Sequence, residues 1–174
     1  MTLLQNLNLD TLTPARLWLA LDKQTRLLAA RALYEDSSMR DQAHQAIATA
    51  IKFRVAGVRK LSVDKRIDYL ARVAQPDEGL ASSLLIALHL GDRREILGSF
   101  LDELGIPHED GLNTSEEELG AVPGAKLEPA VTALRQRFDS DDVDLYLVSL
   151  LVLDPDVWSG LTEVLKTAAT RALS

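Results

Sequence analysis

The sequence predicts an all-α fold, a compact multi-helix domain of about eight or nine helices built from antiparallel helical hairpins, with no β-sheet. Three observations carry this. Apolar residues recur at three- and four-residue spacing through most of the 174 residues. Thr13-Pro14, Glu128-Pro129 and Asp154-Pro155 each stand at the head of such a run, where proline suits the first helical turn. No alternating β-branched run bounded by turn residues occurs.

Residues 1–12 read as a leader arm. Leu3, Leu4, Leu7, Leu9 and Leu12 have few helix formers around them, so the arm is expected to pack on the body or on a neighbouring subunit. Residues 13–174 read as a single all-α domain. A subdomain split near 110–125 would divide it into 13–109 and 126–174.

Thr13 caps a helix carrying Leu17, Trp18 and Leu21. Asp22 can cap a second helix bearing Leu27, Leu28, Leu33 and Tyr34, or one helix can run from Pro14 to Glu35. Ser38-Met39-Arg40-Asp41 resembles a capping box with Asp in place of Glu. The helix it opens is expected to run from Met39 to about Lys60, roughly 33 Å at ~1.5 Å per residue. Ala43, Ile47, Ile51, Val55 and Val58 form its stripe. Ser62 starts the next helix, with Ile67 and Leu70 inward.

The stretch from Leu80 to Leu90 has no charged side chain and is apolar on most sides, which predicts a helix buried by its neighbours. Asp92 reads as the cap of a return helix whose stripe is Ile96, Leu97, Phe100, Leu101 and Leu104. Gly105 supplies the left-handed position after that helix, and Pro107 stops it. The irregular stretch 106–129 holds three of the six prolines; Glu116 to Leu119 suggest one short helical turn there. Beyond it come a helix after Glu128-Pro129, a second uncharged helix from Leu145 to Leu153 opened by Ser140, and a last helix bearing Trp158, Leu161, Leu165, Ala168 and Ala172. Each uncharged helix is followed by an aspartate turn and an amphipathic return, which raises the possibility of an ancient duplication.

Composition narrows the function classes. The chain has no cysteine, so disulfides and thiolate metal sites are excluded and nothing points to secretion. No apolar run reaches the roughly 18 residues of a membrane span. MTLLQNLNLD lacks a positive n-region, so no signal peptide or membrane partner is expected and the cytoplasm is the default location. The net charge of −7 is uneven. Residues 1–100 hold fourteen Lys/Arg against eleven Asp/Glu, and residues 101–174 hold five against fifteen. Lys52, Arg54, Arg59, Lys60, Lys65, Arg66 and Arg72 form a basic face. With an acidic total, nucleic acid is not its expected partner, and it reads as solvated or as meeting the acidic half of this fold or of a second copy.

No phosphate loop, dinucleotide fingerprint, nucleophile elbow or zinc-protease helix is present, so no catalytic residue, metal ligand or cofactor is assigned. His44 follows Asp41 by one helical turn, which is an ordinary surface pair unless a second such helix completes a metal site. His89 lies in the greasiest helix near the negative end of its dipole; it reads first as a satisfied core histidine and second as a general base. His108, Glu109 and Asp110 are consecutive, and consecutive side chains rarely converge on one ion. His89 and His108 facing one cleft with a loop acid would make the best ligand-pocket candidate.

The first functional expectation is therefore a non-enzymatic helical protein–protein interaction module that self-associates. The alternative is a small-molecule-binding protein or enzyme with a pocket between the 80–104 hairpin and the 105–126 loop.

Overall fold

Capping residues and glycines set where this chain turns. The computed structural model describes residues 3–171 and is 71% helical, with eleven α-helices and one two-stranded sheet. It divides into two compact units. One runs from Thr13 to Asp92; the other runs from Arg93 onward and takes in the N-terminal residues up to Leu12. The expected division near 110–125 therefore falls inside the second unit, because that loop is tied to its own neighbours. Gly111 seats against Leu97 and Gly98, and the Val122 N–H donates to the Val157 carbonyl at 3.0 Å.

The first unit contains α1 (Pro14–Ala20), α2 (Lys23–Glu35), α3 (Arg40–Ile51), α4 (Val55–Val58), α5 (Val63–Ala71) and α6 (Glu78–Asp92). Thr13, Asp22 and Ser62 cap α1, α2 and α5 with side-chain oxygens that accept from Arg16, Thr25 and Lys65 N–H groups. The separate caps at Thr13 and Asp22 decide for two helices rather than one. α2 packs on α5 and α6, and α1 lies on α6. Trp18 is fully buried there, and its indole N–H donates to the Val73 carbonyl at 3.0 Å. Glu78 at the start of α6 reaches the Ala15 N–H at 3.0 Å and so caps its neighbour α1. α6 buries Leu80, Ala81, Leu84, Leu85, Leu88 and His89 but leaves Ile86 46% exposed, so it is not covered on every side.

The second unit contains 3-10 turns at Leu3–Asn6 and Leu9–Thr11, then α7 (Arg94–Glu103), β1 (His108–Glu109), β2 (Leu112–Asn113), α8 (Gly124–Arg137), α9 (Ser140–Leu153), α10 (Pro155–Trp158) and α11 (Leu161–Arg171). α9 is its centre, touching α7, α8, α10, α11 and the first 3-10 turn. Phe100 of α7 meets Tyr146 of α9 edge-on at 5.7 Å and Trp158 of α10 at 5.6 Å. The leader buries Leu4, and Asp10 pairs with Lys166 of α11 at 2.8 Å.

Several expected boundaries move. The long helix from Met39 to Lys60 is broken: Lys52 takes a left-handed φ of 55°, its N–H turns back to Ala48 and Thr49, and the chain restarts at Val55. The break lets Val58 become fully buried. Ser38 does not cap α3, because its hydroxyl and N–H are both held by Asp36. Asp92 is the last residue of α6, not the cap of α7, and the two arms of the expected hairpin belong to different units. Asp139, not Ser140, caps α9. α8 begins at Gly124 and carries Pro129 inside it. Glu116–Leu119 are not helical. The last helix is cut at Gly160, where a Cβ would stand 2.8 Å from the Val122 carbonyl. That cut leaves the second aspartate turn followed by only four helical residues, unlike the first. Ala172 lies outside the described residues.

Candidate functional site

One short two-stranded sheet forms where no sheet is expected. Asp110 and Gly111 have φ of 52° and 82°, and they join β1 to β2 with Glu109 opposite Leu112. Two residues at positive φ make the tight hairpin turn that Asp-Gly favours. The dipeptide was therefore the signal for this hairpin, although the strands are too short to show alternation. The turn is pressed onto α7: a Cβ on Gly111 would lie 2.7 Å from the Leu97 Cβ. Gly98 of α7 makes room for the His108 ring, with its Cβ position 3.2 Å from Cε1.

His108 is held at both nitrogens. Its Nδ1 accepts the Gly111 N–H at 3.2 Å, and Nε2 lies 3.0 Å from Asp102 Oδ1. An acceptor at Nδ1 assigns the proton to Nε2, which donates to the carboxylate. Both nitrogens are engaged within the protein, so the ring works as a strut between α7 and the hairpin. Asp110 pairs with Arg94 at 2.8 Å, and Glu109 is exposed. Beside them is an open cleft of about 560 Å³, also bordered by Arg137 and Phe138 at the end of α8. Among the described residues no group of three His, Cys, Asp or Glu side chains could hold a metal ion. His89 belongs to the first unit, where it is buried in α6; His108 belongs to the second.

A second polar cluster was not legible. Buried His44 on α3 meets the Tyr34 hydroxyl through Nε2 at 3.2 Å, and Arg66 donates to the same hydroxyl. The tyrosine thus accepts from Arg66 and donates to His44, which puts the imidazole proton on Nδ1. Arg66 also donates to the carbonyls of Val58 and Arg59. Desolvation chiefly, then the charges of Arg66 and Arg59, hold the His44 pKa below its ordinary value, with Asp41 opposing. Asp41 itself pairs with Arg59 at 3.3 Å rather than with His44. Only residues distant in the chain make this cluster, so no local spacing announces it.

The seven basic residues separate by role. Arg66 is half-buried and structural, Arg59 pairs with Asp41, and Arg72 pairs with Asp68 at 2.8 Å. Lys52, Arg54, Lys60 and Lys65 are exposed and make no ion pair among the described residues. Phe53 and Val63 stand among them in sequence, 56% and 51% exposed.

The two units differ in net charge. Residues 13–92 carry twelve Lys/Arg against nine Asp/Glu; the rest of the chain carries seven against seventeen. Among the described residues no helix is long and apolar enough to cross a membrane. No family model, curated protein or solved structure matches this chain.

Proposed function

We propose that this protein is a cytoplasmic, non-enzymatic helical interaction module that self-associates through opposite charge on its two units. The observation that carries the reading is the unequal charge of the two compact units, about +3 for residues 13–92 and about −10 for the rest of the chain. Opposite fields on separate compact units attract the complementary units of other copies and raise the rate of encounter. A chain at this net charge would otherwise repel its own copies.

Sedimentation velocity across ionic strength tests this. Raising salt from about 0.1 M to about 1 M shrinks the Debye length from about 10 Å to about 3 Å, so a charge-driven assembly dissociates. The expected result is an oligomer at low salt that becomes a monomer at high salt. A monomer throughout, at high micromolar protein, would sink the reading.

The cleft of about 560 Å³ on α7, lined by Arg94, Glu95, Asp102, His108 and Arg137, supports a second reading, a small-molecule ligand held there. Native mass spectrometry of gently purified protein would then show an adduct that Arg137→Ala loses.

A further inference from the structure

We propose that the exposed face around Phe53 on one copy receives the β1–β2 hairpin of a second copy, head to tail. This inference rests on the self-association reading and assigns its two surfaces.

Phe53 is held out by its backbone rather than left loose. Its N–H donates to the Ala48 carbonyl at 2.9 Å, which closes the end of α3 behind left-handed Lys52. The ring lies beside Gly57 of α4, whose Cβ position is 3.5 Å from Phe53 Cδ2. A large apolar side chain 56% exposed on a hydrogen-bonded backbone loses less entropy on docking than one on a free loop. Lys52, Arg54, Lys60 and Lys65 supply positive charge on the same short segment, and none of them is neutralised by an ion pair among the described residues. An aromatic centre with a charged rim is the usual anatomy of a protein interface.

The hairpin offers the opposite chemistry on an equally fixed frame. Leu112, 46% exposed, stands across the register from Glu109, and Glu116, Glu117 and Glu118 follow in the same arm. Glu109 and these three glutamates are exposed and make no ion pair among the described residues. Gly111, His108 and the Arg94–Asp110 pair lock the hairpin to α7, so its shape is ready before contact. The partner that matches the Phe53 face in both sign and apolar content is thus present on every copy at the same concentration. Because the two surfaces differ, the contact is heterologous, and each copy keeps one face open to a further copy.

Two charge reversals test the assignment by sedimentation velocity at low salt, with circular dichroism checking the fold. One variant is Arg54→Glu/Lys60→Glu; the other is Glu116→Lys/Glu117→Lys/Glu118→Lys. Wild type should associate, and each variant alone should weaken association by about a hundredfold, since like charges are then juxtaposed. Mixed in equal amounts, they should associate again, because each retains the face the other has lost. Phe53→Ser should weaken association without changing its salt dependence. If wild type associates and either reversal still associates as tightly, the surfaces are wrong while self-association stands. Monomeric variants that stay monomeric when mixed would also overturn the pairing. A monomeric wild type would remove both readings.

Discussion

Arg135 on α8 donates to the carboxylate of Asp144 on α9, an acid only 4% exposed, and so places a charge pair inside the second unit. Desolvation raises the Asp144 pKa, and the hydrogen bond and charge of Arg135 oppose that rise without cancelling it. A raised folded pKa means that the ionised carboxylate costs stability at neutral pH. Its contribution improves as pH falls through the folded value and is lost as pH rises. Arg135→Met should therefore cost about 3–5 kcal/mol at pH 7, by leaving a buried charge alone. That loss should shrink in acid, because burial makes Asp144 take up a proton above the ordinary carboxylate range. Asp144→Asn should be at least as stable as wild type at pH 7, with the difference closing in acid. Urea midpoints at pH 7 and in acid check all three outcomes.

His44 has the opposite sign. Burial and neighbouring arginines lower its pKa from the ordinary 6.5, so the folded state holds fewer protons than the unfolded chain. This part of the stability is present above pH 6.5 and drains away as pH falls through the lowered value. His44→Gln, whose amide oxygen can still accept from Tyr34, should flatten the stability profile between pH 7.5 and pH 5. An unchanged slope in that window would show that His44 is not buried neutral.

Gly111 is irreplaceable on two grounds, a φ of 82° and a missing Cβ that would meet Leu97 at 2.7 Å. Gly111→Ala should cost at least about 1–2 kcal/mol from the left-handed backbone alone. The hairpin should be the region that opens. Hydrogen exchange should show faster exchange at Thr114, whose N–H donates to the Pro107 carbonyl at 3.0 Å, than at the centre of α9.

Lys52 tests where α3 ends. In the left-handed position, Lys52→Gly should stabilise the protein by up to about 1 kcal/mol. In the interior of one helix reaching Lys60, the same change should destabilise by about 1 kcal/mol. Thermal unfolding of this single variant gives the sign.

What could be read in the chain was written within three or four residues. The oxygens of Thr13, Asp22 and Ser62 reach N–H groups three positions on, so a helix start there needs no distant partner. Gly105, at φ 67°, is likewise a local matter. Asp110-Gly111 belongs to the same class, but its strands of two residues each are too short to show alternation. Ser38 shows the limit of such reasoning. Two local partners competed for its hydroxyl, and Asp36 won over the expected cap.

The helical character, the caps and the unequal halves of charge were determined by sequence alone, because propensity, capping and charge are carried by neighbours along the chain. Tertiary structure decided the rest. Lys52 turns left-handed where a periodic stripe would continue, since that turn buries Val58. His108 becomes a strut only because Asp102 and Gly111 are brought to its two nitrogens. His44 finds Tyr34 and Arg66 across three helices. Burial and hydrogen-bond partnership depend on residues far apart in sequence, and no local spacing records which of them will meet.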